Sequence, residues 1–194
     1  MNNEAGRKGY AVVDLETSGL NPDTDHILEI AVVLLDPNGR PEREWSTRVR
    51  QPIGRKIGAK HIHGLSWWSL RSGIELSVAL RTVADLVNGR IMVAHNADFD
   101  TAFLRNAASR HGVDLEFEGP LCTLKMSRAN RSLQSSGMAS SRTSHKLAAV
   151  CERYEVPFVA VHQALGDARA CATVLPLLLR DLKMSHGQEF LAGS

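Results

Sequence analysis

Two acidic residues stand close together in an otherwise apolar run near the start of this 194-residue chain. Asp14 and Glu16 belong to Tyr10–Glu16 (YAVVDLE), whose β-branched residues predict a strand. Residues i and i+2 of a strand point to the same face, so the two carboxylates converge on one spot. Like charges in an apolar strand are costly unless a cation neutralises them, and carboxylate oxygens suit Mg²⁺ or Mn²⁺. The alternative is that Glu16 simply ends the strand in solvent.

Two further acidic residues follow a second apolar run. Ile91–Ala94 (IMVA) predicts a short buried strand, and the segment HNADFD comes directly after it. Asp98 and Asp100 then fall in the first turn of a predicted helix, Asp98–Arg110. A carboxylate in the first turn stabilises a helix by about 0.3–1 kcal/mol and needs no other role. Both explanations, metal ligand and helix end, stay open here.

A histidine and an aspartate occur together before the last predicted helix, Asp167–Leu182. In the segment HQALGD, His162 and Asp167 do not share a face of a continuous helix. His162 can, however, lie on the preceding loop and face the same pocket as Asp167. Histidine titrates near neutral pH and can act as a general base toward water. A surface histidine on a loop is the alternative.

The elements that would position these residues predict an α/β fold. Three strands joined by short turns come first and predict an antiparallel meander. Helices and short apolar strands then alternate, so we expect a mixed five-stranded sheet flanked by helices, an order that resembles the ribonuclease H-like architecture. Pro176 predicts a kink or a break in the last helix. The predicted strands are Tyr10–Glu16, Ile27–Leu35, Glu44–Arg50, Ile91–Ala94 and Leu121–Leu124, and the predicted helices are Ile74–Val87, Asp98–Arg110, Lys146–Tyr154 and Asp167–Leu182.

The chain has the length of one domain with short ends. We expect a loose N-terminus over residues 1–8, one domain over 9–182 and a short C-terminal tail over 183–194. The stretch SSGMASSRTS, residues 135–144, predicts a flexible loop, because hydrophobic patterning resumes on both sides of it.

The composition argues against several classes of protein. Cys122, Cys151 and Cys171 are widely spaced and form no CxxC pair, which argues against a disulfide framework or a zinc site. The chain has no long apolar segment that would span a membrane. Asp14 and Glu16 interrupt the first hydrophobic run, unlike the apolar core of a signal peptide. We therefore predict a cytoplasmic protein that does not enter membranes.

Although the net charge is only +2, two stretches of the chain contain basic residues and no acidic ones. No acidic residue occurs between Glu44 and Glu75, and none between Glu118 and Glu152. Segments of this kind suit contact with a phosphate backbone, and an ordinary solvated face is the alternative. Their basic residues are Arg48, Arg50, Arg55, Lys56, Lys60 and Arg71 in the first, and Lys125, Arg128, Arg131, Arg142 and Lys146 in the second.

Three motifs in this order resemble those of the DnaQ-like 3′–5′ exonucleases of the DEDDh class. AVVDLETSGLNP is similar to the first motif of that family, VAHNADFD to the second and HQALGDA to the third. HIHGLS and SHKLAAVCERYEV resemble elements that lie between them. The similarity covers residues 9–180 and implies a ribonuclease H-like fold and hydrolysis of phosphodiester bonds at 3′ ends.

The resemblance also implies a role for each matched residue. Four carboxylates match the family's ligands for two Mg²⁺ or Mn²⁺ ions, and these are Asp14, Glu16, Asp100 and Asp167. His162 matches the general base, where a tyrosine would mark the sister class. Thr17, Leu20 and His63 match positions that contact substrate, Thr17 near the 3′-hydroxyl and Leu20 against the base. Two ions about 3.5–4 Å apart would activate water and stabilise the leaving 3′-oxygen, which releases nucleoside 5′-monophosphates.

The resemblance leaves the substrate and the partners open. DLETSGL is more similar to the proofreading branch, which implies single-stranded DNA as the substrate. RNA trimming, as in RNase T or oligoribonuclease, and a non-catalytic nucleic-acid-binding module are the alternatives. The segment Gln188–Leu191 (QEFL) faintly resembles a sliding-clamp-binding peptide. A DNA polymerase or a sliding clamp is therefore a candidate partner, and action by the chain alone is the alternative.

Two adjacent tryptophans, Trp67 and Trp68, follow HIHGLS directly. Adjacent residues on a helix do not share a face, so we expect one ring in the core and the other exposed. An exposed ring beside a cleft can stack on a base, which is worth about 1–3 kcal/mol. Packing within the protein is the alternative.

Overall fold

The chain folds into a five-stranded sheet with helices on both faces. The structure is a computed structural model, and it describes residues 8–58, 60–130, 144–158 and 163–186. Its strands are β1 (Tyr10–Thr17), β2 (Ile27–Leu35), β3 (Pro41–Arg48), β4 (Ile91–Ala94) and β5 (Glu118–Cys122). Its helices are α1 (Lys60–His63), α2 (Trp67–Leu70), α3 (Leu76–Val87), α4 (Ala97–Arg110), α5 (Thr123–Ala129), α6 (Leu147–Arg153) and α7 (Ala164–His186).

β1 is the central strand of the sheet, whose order is β3-β2-β1-β4-β5. β1 and β2 pair antiparallel with Asp14 opposite Ala31 and Glu16 opposite Glu29, and β2 and β3 also pair antiparallel. β1 pairs parallel with β4, and β4 pairs parallel with β5. The predicted fold class, a mixed sheet of an antiparallel meander and parallel strands flanked by helices, is confirmed.

Alternate residues of β1 contribute to two hydrophobic cores on opposite faces of the sheet. Val12 packs in the core that contains Val174 and Leu178 of α7. Ala11 and Val13 pack in the other core, to which α3 and α4 contribute buried side chains. Because side chains alternate along a strand, Asp14 and Glu16 share the face of Val12 and point toward α7. The core that fixes β1 therefore also fixes the direction of both carboxylates.

α7 continues through Pro176 without interruption, so of the predicted kink or break, the break does not occur. Proline removes one helical hydrogen bond and costs about 3 kcal/mol in a helix interior. Val174 and Leu178, on either side of Pro176, are both fully buried. Burying side chains of this kind stabilises by about 1.5–3 kcal/mol each, so packing on the sheet outweighs the proline.

The structure differs from the sequence prediction at several smaller elements. The predicted strand Leu121–Leu124 ends at Cys122, and the helix α5, which was not predicted, begins at the next residue. Thr123 and Met126 of α5 are buried, so tertiary packing determines this short helix more than its own sequence does. β3 runs over Pro41–Arg48 and not over Glu44–Arg50, and proline is tolerated at the start of an edge strand.

Four sequence predictions fall wholly or largely outside the described residues. These are residues 1–7 of the loose N-terminus, His162, residues 135–143 of the serine-rich stretch, and the segment Gln188–Leu191. The division into residues 1–8, 9–182 and 183–194 also stays a prediction, although α7 extends four residues past 182. Among the described helices, none combines the length and the apolar character needed to cross a membrane.

Candidate active site

Three of the predicted carboxylates converge between β1 and α7. Oxygen atoms of Asp14, Glu16 and Asp167 all lie within 4.8 Å of one another. Asp14 and Glu16 reach this point from one face of β1, and Asp167 from the first turn of α7, where a negative charge is favourable. Glu16 is buried, whereas Asp14 and Asp167 are half-buried. Two of the three carboxylates are thus partly accessible to solvent.

Asp100, the fourth predicted carboxylate, lies in the first turn of α4 beside this cluster. The chain turns from β4 into α4 at Asn96, whose φ of 80° lies in the left-handed region that asparagine tolerates. Asp100 is only 4% exposed, and the backbone N–H of Leu15 donates a hydrogen bond to its carboxylate. Asp98, by contrast, is exposed and forms an ion pair of 2.8 Å with Lys125. The structure places Asp100, and not Asp98, toward the cluster.

Three of the four carboxylates, Asp14, Glu16 and Asp100, have raised pKa values, and charges within the group contribute to each of them. Burial raises the pKa of Asp14 well above its ordinary value, and the charges of Asp100, Asp167 and Glu16 add to this. Burial, followed by the charge of Asp167, raises the pKa of Glu16 to about 7. Burial is also the main reason that the pKa of Asp100 rises to about 8. A cluster of oxygen ligands that resists ionisation in this way is well matched to divalent cations, which would neutralise it.

We expect the metal-free protein to lose stability as the pH rises. Because the pKa values of Glu16 and Asp100 are raised in the folded state, the folded protein binds these protons more tightly than the unfolded chain. Their contribution is complete below the ordinary carboxyl pKa of about 4 and is lost as the pH passes through about 7 and about 8. In EDTA, the melting temperature should fall between pH 5 and pH 8.5, by about 2–4 °C for each kcal/mol lost.

Mg²⁺ should remove most of this decline, because a bound cation favours the ionised carboxylates. The measurement is thermal unfolding followed by circular dichroism across this pH range, with EDTA and with Mg²⁺. A melting temperature in EDTA that rises with pH would contradict the mutual repulsion of the four carboxylates.

Glu29 of β2 is a fifth carboxylate at this site, and the sequence analysis did not identify it. It lies opposite Glu16 in the β1–β2 pair, and so on the same face of the sheet. Its charge contributes to the raised pKa of Glu16. Its Oε2 accepts a hydrogen bond of 3.3 Å from the backbone N–H of Ala164, the first residue of α7. Glu29 therefore ties the start of the helix that carries Asp167 to the sheet.

A signal for Glu29 was present in the sequence. It is the one charged residue within the apolar run Ile27–Leu35, and a charge in a buried strand needs a partner. The antiparallel register that places it opposite Glu16 cannot be read from the sequence alone, so its connection with the site could not be predicted.

The three predicted substrate-contacting residues, Thr17, Leu20 and His63, lie in different environments. The hydroxyl of Thr17 donates a hydrogen bond of 2.6 Å to the carbonyl oxygen of Gly19, and Leu20 is 84% exposed. His63 is buried, and its Nδ1 accepts a hydrogen bond from the backbone N–H of Leu65 at 3.0 Å. The side chain of Leu20 is thus accessible to solvent, whereas that of His63 is buried. Their roles toward substrate stay predictions.

His95, which lies within the second motif, links separate elements of the fold. Its Nδ1 lies 3.0 Å from the hydroxyl of Thr123, and its Nε2 lies 3.0 Å from the carbonyl oxygen of His145. Burial lowers its pKa to about 4, so the ring is neutral at physiological pH. His95 therefore joins the end of β4 to α5 and to the segment before α6.

Comparison with known proteins agrees with this arrangement. The exonuclease family that is named for RNase T matches residues 11–175. The PolC-type DNA polymerase III of Thermotoga maritima is 30% identical over 172 residues, and that of Ureaplasma parvum is 26% identical over 183 residues. These alignments cover 87% and 92% of this chain but only 12% of each polymerase. The chain thus spans about an eighth of the length of the curated relatives it matches.

Solved structures show the same fold at low sequence identity. Escherichia coli exonuclease I in complex with a dT13 oligonucleotide superposes with a TM-score of 0.78 at 17% identity, over 91% of this chain and 42% of that one. Cell-death related nuclease 4 superposes with a TM-score of 0.72 at 15% identity, over 90% of this chain and 66% of that one. Because the family match covers most of the chain, including all four predicted carboxylates, the chain belongs to the RNase T family of DnaQ-like 3′–5′ exonucleases, as its motifs predicted.

Proposed function

We propose that this chain hydrolyses the phosphodiester bond at the 3′ end of single-stranded DNA and releases nucleoside 5′-monophosphates. The observation that carries the proposal is the convergence of Asp14, Glu16 and Asp167, with Asp100 buried beside them. Carboxylates that raise one another's pKa provide oxygen ligands for two Mg²⁺ or Mn²⁺ ions. Membership of an exonuclease family supports the same reaction.

Each carboxylate has a proposed part in holding the ions. Asp14 lies at the centre of the cluster and is affected by the charges of all the others, so it is the natural shared ligand. Glu16 and Asp167 would complete one site, and Asp100 would support the other. When bound, divalent cations would supply an activated water and stabilise negative charge on the leaving oxygen. Leu15 and Glu29 hold the ligands in place, through hydrogen bonds to Asp100 and to the start of α7.

His162 is the proposed general base, on the grounds of sequence alone. It stands two residues before Ala164, whose N–H is fixed by Glu29. A histidine at this place can accept the proton that the attacking water loses, and it can return that proton to solvent. Thr17 and Leu20 are proposed to contact the terminal nucleotide on the open side of the carboxylates.

The proposal that the substrate is single-stranded DNA rests on the proteins to which this chain is similar. The curated relatives are DNA polymerases, and exonuclease I was solved with a DNA oligonucleotide. The same comparison makes proofreading or repair the proposed role and a DNA polymerase or sliding clamp a proposed partner. RNA is the second candidate substrate, since the family is named for RNase T. The cytoplasmic location stays a prediction from the sequence.

A digestion assay tests the proposed function. With Mg²⁺, a 5′-labelled single-stranded DNA should shorten one nucleotide at a time from its 3′ end, and EDTA should stop the reaction. Chromatography should identify the product as nucleoside 5′-monophosphates. Values of kcat/KM for matched DNA, RNA and short oligoribonucleotides would rank the substrates. Internal cuts, release from the 5′ end or activity in EDTA would overturn the proposal, and inactivity on every substrate would favour a non-catalytic binding module.

A further inference from the structure

We propose that Trp68, together with Arg71, forms a stacking platform for a base of the single-stranded substrate that lies upstream of the 3′-terminal nucleotide. The inference rests on the proposed function, because it extends the path of the strand away from the carboxylates. The platform belongs to residues 52–72, called here the basic segment, which includes α1 and α2.

Trp68 is unusually exposed for its size. Trp68 is 73% exposed, and Leu20 and Ile53 are 84% and 85% exposed. A single exposed hydrophobic residue is ordinary on a protein surface. These three, however, belong to the β1–β2 loop and the basic segment, which both lie beside the end of β1 that carries Glu16. Exposed apolar groups on two segments that adjoin one site indicate a surface for binding.

The position of the basic segment follows from two contacts. Leu65 and Leu70 pack on Leu28 of β2, whose neighbours Ile27 and Glu29 pair with Thr17 and Glu16. In addition, Gly58 approaches the carbonyl oxygen of Ser18 so closely that a Cβ atom would clash with it. The segment therefore packs against the end of β1 that carries Glu16, where we place the path of a strand whose 3′ end occupies the site.

Trp68 is held in place and does not need to be ordered by its ligand. Leu70 anchors α2 and is fully buried. Ser66 and Ser69 form a reciprocal capping box, in which each side chain accepts a hydrogen bond from the other's backbone N–H, at 3.3 and 2.9 Å. The ring of Trp67 meets that of Trp68 edge-on, with centroids 5.0 Å apart and planes at 72°. A pre-organised ring loses little conformational freedom on binding.

The charge around Trp68 identifies the kind of ligand. The Cζ atom of Arg71 lies 5.9 Å from the centroid of the Trp68 ring. The basic segment has four basic residues and no acidic one, and these are Arg55, Lys56, Lys60 and Arg71. Single-stranded nucleic acid presents alternating π-faces and phosphates, which an aromatic ring and a cationic groove bind without sequence preference. A protein partner with an acidic, apolar surface is the competing occupant.

The test depends on substrate length. The probes are a nucleoside 5′-monophosphate p-nitrophenyl ester, a dinucleotide and a thymidine oligonucleotide of about ten residues. For Trp68→Ala, we expect KM on the oligonucleotide to rise about tenfold, which corresponds to about 1.4 kcal/mol, while kcat and hydrolysis of the ester stay unchanged. Fluorescence anisotropy of the labelled oligonucleotide in EDTA should show the same loss without turnover. Trp68→Phe should restore most of the binding.

Val78→Ala is the matched control, because Val78 is an exposed hydrophobic residue of α3, outside the basic segment. It should bind the oligonucleotide as the unmodified chain does. If Trp68→Ala bound the oligonucleotide as tightly as the unmodified chain, the inference would be overturned, and a protein partner would be the favoured occupant of the ring. An equal loss on the ester and the oligonucleotide would also overturn it, because the ring would then act on the site's structure. Failure of the unmodified chain to hydrolyse the ester would count against the proposed function, and anisotropy would still decide the inference.

Discussion

Asp14→Asn should abolish hydrolysis while making the metal-free protein more stable. Asp14 is the carboxylate on which the charges of Asp100, Asp167, Glu16 and Glu29 all act, and its pKa is raised well above the ordinary value. The amide keeps the shape and removes the repelled charge, so the melting temperature in EDTA at pH 8 should increase. Metal ions contribute several kcal/mol to the stabilisation of the transition state, and about 1.36 kcal/mol corresponds to a tenfold change in rate. Removing the shared ligand should therefore lower kcat/KM by about 1,000-fold.

Asp98→Asn is the control for this substitution. Asp98 lies in the same helical turn as Asp100, but it is exposed and paired with Lys125, so its loss should leave activity near that of the unmodified chain. Isothermal titration with Mn²⁺ would show whether Asp14→Asn loses metal binding along with activity. Activity above a tenth of the original in Asp14→Asn, or a lower melting temperature in EDTA, would contradict the shared-ligand role.

The parts of the fold that were predicted correctly are those with the strongest local pattern. β2 and β4 were predicted with the bounds that the structure shows, because each is a nearly continuous apolar run buried on both faces. α5 was missed because seven residues carry little periodicity, and the contacts that stabilise it are tertiary. The break at Pro176 was predicted from local cost alone, whereas the buried residues on both sides determine the outcome.

The candidate site shows the same limit. The convergence of Asp14 and Glu16 follows from strand periodicity, and the structure brings Asp167 to them. The choice between Asp98 and Asp100 needed the resemblance, because both occupy one helical turn and the sequence does not show which face is buried. Glu29 could not be connected with the site, because its position depends on the register of β1 against β2. Periodicity predicts which residues share a face, but the pairing of separate elements must be observed.

His162→Ala should reduce turnover by about 100- to 10,000-fold, the range of a positioned general base, and should leave metal binding largely intact. The proposed base accepts a proton and holds no cation, so its loss should differ from that of Asp14→Asn in three respects. Mn²⁺ titration should resemble that of the unmodified chain, and the melting temperature in EDTA should not rise. Added imidazole should restore part of the turnover in His162→Ala and none in Asp14→Asn.

His111→Ala provides the matched control for His162→Ala, because His111 is an exposed histidine at the far end of α4 from Asp100. That end lies about 15 Å along the helix axis from Asp100, at about 1.5 Å per residue, so its loss should leave turnover unchanged. If His162→Ala turned over as fast as the unmodified chain with Mg²⁺ at neutral pH, the proton of the attacking water would have to leave by another route. The carboxylates would then hold the ions without a histidine base, and the subclass implied by HQALGDA would need to be revised.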